Sequence, residues 1–130
     1  MIVLDTHIWI WWTHDPDRLS ASQIQTIQEH EADVLGVSAI SVWEIAKLVE
    51  HSRLDLPGGL DNWLRQALRY PGIRRMEFSS EIAVESTRLP GEFHRDPADQ
   101  IIVATARVHG VPLVSSDRKI IAYPHVETVS

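Results

Sequence analysis

The stretch MIVLDTH, residues 1–7, decides the fold of this chain. A short, continuous apolar run with β-branched residues is typical of a strand that is buried on both faces of a parallel sheet. The run ends in an acid, so we expect Asp5 at the carboxyl end of that strand. Residues 6–13 are apolar nearly all round, which predicts a short helix buried against the sheet or against another chain.

Short apolar runs and amphipathic helical patterns alternate along the rest of the chain. Further strands are predicted at residues 34–37, 73–78 and 111–114. Strands that alternate with helices are typical of βαβ units, so the chain is predicted to be one domain over residues 1–130, a three-layer α/β/α fold with a mainly parallel central sheet. Helices are predicted from Ser20 to about His30, from Ser41, over residues 60–68, from Ser79 or Ser80 to about Leu89, and from Asp96 to before Gly110.

Composition excludes several classes of protein. The 130 residues are 44% hydrophobic and 23% charged, as in globular rather than disordered proteins. The absence of cysteine excludes disulfides, thiolate zinc sites and iron–sulfur clusters. A net charge of −6 argues against a broad basic face for nucleic acid. Residues 8–12 are too few to span a bilayer and no signal peptide is recognisable, so we expect a cytoplasmic protein without membrane contact.

Five acids are predicted at one edge of the sheet. Asp5 and Asp117 follow strands, whereas Glu44, Asp96 and Asp99 lie in the first turns of helices. In parallel sheets these positions share the carboxyl edge, where ligands bind. A structural role such as helix capping is an alternative for each acid, and Ser41 with Glu44 reads as a capping box, but capping does not explain Asp5. Carboxylates that converge without a cation repel one another, so their clustering favours a hard divalent ion and hydrolysis of phosphodiesters.

At four stations along the chain the sequence resembles the PIN-domain ribonucleases, specifically toxins of the VapC type. The stations are MIVLDTH at the start, SVWE at residues 41–44, HRDPAD at residues 94–99 and SSD at residues 115–117. The four stations occur in the family's order and span nearly the whole chain.

The resemblance implies a PIN-like fold and a Mg²⁺- or Mn²⁺-dependent endoribonuclease, the toxin of a toxin–antitoxin pair. It also implies that RNA is the substrate, that a VapB-type antitoxin is the partner and that the chain forms a homodimer. Asp96 is then expected to be a helix cap that supports the metal site without binding the ion directly. The acids expected to bind the metal and catalyse the reaction are Asp5, Glu44, Asp99 and Asp117.

Residues around the acids are candidates for RNA binding. Thr6 and Ser115 match polar companions of the family's acids, and Arg95 and Arg118 are cations that could hold phosphates; solvated surface cations are an equally good interpretation. His7 and His94 are nearby, and a structural, hydrogen-bonded histidine is the favoured interpretation for each.

Five tryptophans admit two interpretations. Trp9, Trp11 and Trp12 are crowded into one segment, and Trp43 and Trp63 lie farther along. Core packing is favoured, and a groove for a partner protein is the alternative, because aromatic residues are enriched at interfaces. The rival function is therefore a catalytically inactive α/β interaction module that keeps the acids only as caps.

Overall fold

The computed structural model describes residues 1–130 and contains one five-stranded sheet. In chain order the strands are β1 (Ile2–Leu4), β2 (Leu35–Ser38), β3 (Ile73–Met76), β4 (Leu113–Val114) and β5 (Thr128–Val129). Their order in the sheet is β3-β2-β1-β4-β5, and every neighbouring pair is parallel. The prediction of a parallel sheet is confirmed, with β1 at its centre.

Helices cover both faces of this sheet. They are α1 (Thr6–His14), α2 (Ala21–His30), α3 (Ala39–Glu50), α4 (Leu60–Ala67), α5 (Ser80–Ser86), α6 (Pro97–His109) and α7 (Arg118–Ile121), and a 3-10 turn spans Pro16–Arg18. None of the seven helices has the length and apolar composition needed to cross a membrane.

Side chains of β1 alternate between two hydrophobic cores. Ile2 and Leu4 belong to a cluster with residues of α1, α2, α3 and α4, whereas Val3 packs with Ile102 and Val103 of α6. Successive side chains of a strand point to opposite faces, so a strand that is apolar at every position must be covered on both sides. The predicted three-layer α/β/α arrangement is therefore confirmed.

The start of α3 was predicted wrongly. The helix begins at Ala39 rather than at Ser41, because Ser38 ends β2 and also caps the helix, its Oγ accepting a hydrogen bond from the Ile40 N–H at 3.2 Å. Ser41 is consequently a buried residue inside the helix. The capping box expected from Ser41 and Glu44 does not form, which leaves both side chains available for other contacts.

Smaller differences concern short elements. Strands β4 and β5 have two residues each, and β5 was not predicted because two residues show no hydrophobic period. The four-residue helix α7 was missed for the same reason. Helix α5 ends at Ser86 rather than near Leu89, and β3 ends at Met76 rather than at Phe78.

The tryptophan-rich segment contributes mainly to the core. Trp9 is fully buried, and its ring lies 5.3 Å from that of Trp63, centroid to centroid. Trp11 and Trp12 are half-buried against the same core cluster. Core packing is thus confirmed for Trp9 and Trp63, whereas Trp43 is exposed.

Gly72 generates a prediction about stability. Its φ is +87°, and a Cβ built there would lie 2.6 Å from the Glu31 carbonyl oxygen. Gly110 also has a positive φ, +63°, but a Cβ there would have no neighbour within 4 Å. We expect Gly110→Ala to cost about 1–2 kcal/mol from the left-handed backbone alone, and Gly72→Ala to cost clearly more. Urea denaturation of both variants measures this; equal losses would contradict the close approach.

Candidate active site

One crevice of about 410 Å³ collects the predicted acids. It opens at the carboxyl edge of the sheet, where β1 and β4 end, and where α3 and α6 begin. Asp5, Glu44, Asp99 and Asp117 all line it, and so does Asp96. The remaining lining residues are Thr6, His7, Trp11 and Ser116.

Asp5 is held rigidly at the centre of the crevice. It follows β1 and is only 7% exposed, and it caps α1, so the expectation that capping does not explain Asp5 was wrong. Oδ1 accepts a hydrogen bond from the Thr6 N–H at 2.8 Å, and Oδ2 accepts one from the Ser115 hydroxyl at 2.7 Å. Burial raises the pKa of Asp5, and these two hydrogen bonds only partly offset that rise. The carboxylate is therefore fixed in position, and its ionised form is destabilised by burial.

A chain of hydroxyl groups positions Glu44. The Thr6 hydroxyl donates to Glu44 Oε1 at 2.6 Å and lies 2.8 Å from the Ser41 hydroxyl. Because the single proton of Thr6 goes to Glu44, Ser41 must donate to Thr6. Burial raises the pKa of Glu44, Thr6 opposes that rise, and the negative charge of Asp5 adds to it.

Ser115 connects two of the acids. While its hydroxyl donates to Asp5, the same oxygen accepts a hydrogen bond from the Asp117 N–H at 3.1 Å. Asp117 in turn caps α7, its Oδ1 accepting hydrogen bonds from the N–H groups of Lys119 and Ile120. The segment after β4 is thereby fixed against the end of β1.

Gln23 is a supporting residue that sequence reasoning missed. It completes the capping box of α2 with Ser20, yet its side chain is buried. Its Nε2 donates to the Ser115 carbonyl at 3.3 Å and to Ser116 Oγ at 2.9 Å. The capping box was visible as Ser20 followed three residues later by Gln23, but nothing in the sequence signalled its contact with the distant serines.

At the start of α6, Asp96 is the helix cap that was expected, and the metal-binding role of Asp99 stays a prediction. Asp96 is the exposed N-cap, and its Oδ1 accepts a hydrogen bond from the Asp99 N–H at 3.2 Å. Asp99 has a raised pKa of about 7, because its carboxyl group is desolvated and because Asp5, Asp96, Asp117 and Glu44 repel its charge. The pKa of Asp99 is thus raised by the negative charges of all four other acids.

The two histidines near the crevice differ in their contacts and in their exposure. His94 Nε2 is 3.0 Å from Asp99 Oδ2, but the two groups lack the alignment of a hydrogen bond. The expected hydrogen-bonded structural role is therefore met only at Nδ1, which lies 3.4 Å from the Asp96 N–H. His7 is exposed and lines the crevice directly.

The other predicted RNA-binding residues do not form the crevice surface as a set. Thr6 lines the crevice and Ser115 does not, and the buried hydroxyl groups of both donate hydrogen bonds to carboxylates, those of Glu44 and Asp5. Arg95 and Arg118 are exposed and neither lines the crevice. Their part in phosphate binding stays a prediction.

The composition of the crevice suits a hard divalent cation. Its ionisable oxygen donors are five carboxylates, and no lysine or arginine lines it. Burial and mutual repulsion raise the pKa values of Asp5, Glu44 and Asp99, so a cation would relieve the strain. No three acidic or histidine side chains are already spaced to hold one ion, so some of them would have to move together to ligate it.

Comparison with known proteins gives a family match and a close relative. The family model described as PIN domain matches residues 2–126. Ribonuclease VapC22 of Mycobacterium tuberculosis (strain ATCC 25618 / H37Rv) is 39% identical over 129 residues, an alignment that covers 99% of this chain and 96% of that protein.

Solved structures share the fold at lower sequence identity. VapBC2 from Rickettsia felis, bound to a DNA fragment from its promoter, matches with a TM-score of 0.73 at 17% identity, over 99% of this chain and 98% of that one. A toxin–antitoxin complex from Klebsiella pneumoniae matches with a TM-score of 0.69 at 20% identity, over 100% and 97%. FitAcB from Neisseria gonorrhoeae gives 0.69 at 21% identity, over 100% and 97%.

The raised pKa of Asp99 predicts how pH affects stability without metal. The folded chain binds this proton more tightly than the unfolded chain, so the free energy of unfolding falls as pH rises from about 4 to about 7. Asp99→Asn removes the charge, so in chelator at pH 8 we expect the variant to be more stable than the wild type, by roughly 4 kcal/mol at most. The difference shrinks as pH falls towards 4.

Thermal midpoints in EDTA between pH 4 and pH 8 measure this effect. Asp61→Asn is the matched control, since Asp61 is an exposed acid in the first turn of α4 and does not line the crevice. If the thermal midpoints of the wild type and Asp99→Asn differ by the same amount at every pH in this range, the raised pKa of Asp99 is ruled out.

Proposed function

The chain belongs to the PIN-domain family, and from that membership we propose that it is an RNA-cleaving hydrolase, the ribonuclease toxin of a toxin–antitoxin pair. The observation that carries this function is the crevice of five acids without lysine or arginine. An inactive interaction module would gain nothing from desolvated acids that repel one another, since such groups only lower its stability. Asp5, Asp96 and Asp117 do cap helices, but Glu44 and Asp99 cap none, so capping does not account for the whole set of acids.

Metal dependence is the finer part of the proposal. We propose that Asp5, Glu44, Asp99 and Asp117 hold Mg²⁺ or Mn²⁺, with Asp96 supporting Asp99 as the cap of α6. When bound, the ion supplies Lewis-acid polarisation of the phosphate and activation of water. Carboxylates without thiolate or imidazole ligands favour such hard ions over zinc.

The chain's own residues contribute positioning and proton transfer. Asp5 has both oxygens anchored, so the orientation of its carboxylate is set before any ligand arrives. Glu44 accepts the hydrogen bond from the Thr6 hydroxyl through Oε1, which leaves Oε2 available to take a proton from a water molecule. Ser41 and Thr6 keep that carboxylate in place, since their hydrogen bonds run in one direction towards it. Preorganisation of this kind lowers the reorganisation needed during reaction.

The proposal includes the partners that the relatives have. The matched structures from Rickettsia felis and Klebsiella pneumoniae are toxin–antitoxin assemblies, which supports a VapB-type antitoxin as the partner of this chain. Homodimer formation, a cytoplasmic location and the action on RNA by endonucleolytic cleavage complete the proposal.

Asp5→Asn tests the catalytic assignment. The substitution keeps the volume of the side chain but removes one negative charge from the centre of the crevice, so we expect RNA cleavage to fall by at least about 100-fold, more than supporting contacts of a metal site usually cost. Relief of repulsion keeps the variant folded in EDTA, with a thermal midpoint at or above that of the wild type.

The assay is cleavage of purified total RNA with mapping of the new ends, in EDTA and after addition of Mg²⁺ or Mn²⁺. Asp61→Asn, an exposed acid of α4, is the control and should cleave at the wild-type rate. Undiminished cleavage by Asp5→Asn would remove Asp5 from the catalytic set. Undiminished cleavage by the wild type in EDTA would show that the reaction does not need a divalent metal ion.

A further inference from the structure

Two tryptophan rings flank the acidic crevice, and a cation lies over each. On one rim, Trp11 lines the crevice and the Arg18 guanidinium carbon is 5.0 Å from its ring centroid. The exposed His7 ring lies 5.7 Å from the same indole, tilted by 51°. His7, Trp11 and Arg18 therefore form a row of flat or cationic groups along this rim.

The other rim is built around Trp43. Its side chain is 54% exposed, and Lys47 Nζ lies 5.8 Å from its ring centroid. Trp43 lines a mainly apolar hollow of about 380 Å³ on the surface between α3 and α6. Glu44 and Asp96 line both this hollow and the crevice, so the two spaces adjoin at these side chains.

Packing within the single chain does not account for the exposure of Trp43. Tryptophan is usually well buried, and an exposed ring costs apolar hydration without adding to the core. Because Trp43 is next to Glu44 in the sequence, this exposed ring lies near the mouth of the crevice. Exposed aromatic rings beside a cation are the groups that bind unpaired nucleobases, by stacking, and the neighbouring phosphates, by charge.

We propose that Trp11 and Trp43 are stacking sites for unpaired bases on the two sides of the cleaved phosphate, and that Arg18 and Lys47 contact the adjoining phosphates. The inference rests on the proposed function and deepens it, because it names residues that would bind the RNA on either side of the acids. Bases of an A-form duplex are stacked on one another and unavailable to these rings, so the two tryptophans can stack only on unpaired nucleotides. The cations lie beside the acids rather than among them, which lets an acidic chain bind a polyanion without neutralising its own metal site.

Binding measurements test the stacking sites separately from cleavage. The probe is a fluorescein-labelled 12-nucleotide RNA of mixed sequence, and the protein carries Asp5→Asn so that the probe stays intact. Adding Trp43→Ala should weaken binding about 5- to 150-fold, the range that the loss of one base–aromatic stack gives. Trp43→Phe should restore most of the affinity. Tyr70→Ala is the matched control, since Tyr70 is exposed but precedes β3 and lies at the opposite edge of the sheet.

Two modified probes separate stacking from other effects. A 12-nucleotide backbone without bases should bind equally to the Trp43→Ala protein and its parent, and a duplex form of the probe should bind more weakly than the single strand. Arg18→Ala and Lys47→Ala should each lower the salt dependence of log affinity by about 0.7, the value for one lost phosphate contact on a single strand.

Four outcomes would overturn the inference: unchanged binding by Trp43→Ala, an equal loss on the base-free backbone, a preference for duplex, or conversion of a dimer to a monomer by Trp43→Ala. The last outcome would assign the Trp43 surface to a second copy of the chain, and light scattering of both proteins detects it. Failure of the wild type to cleave RNA, with the Trp43 effect intact, would refute the proposed function and leave the stacking site standing.

Discussion

Parallel pairing on both sides of β1 is the constraint from which the rest of the molecule follows. Because β2 and β4 both run parallel to β1, the chain leaves all three strands at the same edge. Asp5 comes directly after β1 and Asp117 shortly after β4, while the short connection at Ser38 starts α3 and delivers Glu44 to the same place. Helix α6 begins at that edge too, with Asp99 in its first turn. The acids therefore meet at one edge because the strands of the sheet are parallel.

Hydrogen bonds from neighbouring polar side chains hold the acids in this arrangement. Hydroxyl groups of Thr6, Ser41 and Ser115 and the amide of Gln23 hold the acids or the segments that carry them. They do not neutralise the charge, so the pKa of Asp99 stays near 7 and those of Asp5 and Glu44 stay raised. The raised pKa values show that these charges lower the stability of the fold, which is common where a protein's function needs a strained local environment, here the proposed divalent-cation site.

Sequence reasoning recovered the elements whose signal is local. The apolar run before Asp5 identified the central strand, and alternation of strands and helices identified the layered sheet. It failed where the signal is a contact between distant positions. Thr6 and Ser41 are 35 positions apart, Gln23 and Ser115 are 92 apart, and Asp5 and Ser115 are 110 apart, so no motif shows that these side chains meet. The error at Ser41 has the same origin, since a serine three residues before a glutamate looks identical whether it caps a helix or hydrogen-bonds Thr6. The exposure of Trp43 was equally unpredictable, because nothing in the sequence distinguishes it from the buried Trp9 and Trp63.

The central claim is that these acids are one divalent-metal site, and diffraction from crystals grown with Mn²⁺ tests it most directly. Anomalous scattering locates manganese independently of how the protein is interpreted. The account predicts an anomalous peak in the crevice, bound by the carboxylates of Asp5 and Asp99, and loss of that peak in Asp5→Asn crystals. A crevice without a peak at millimolar Mn²⁺, or manganese bound only elsewhere on the surface, would contradict it.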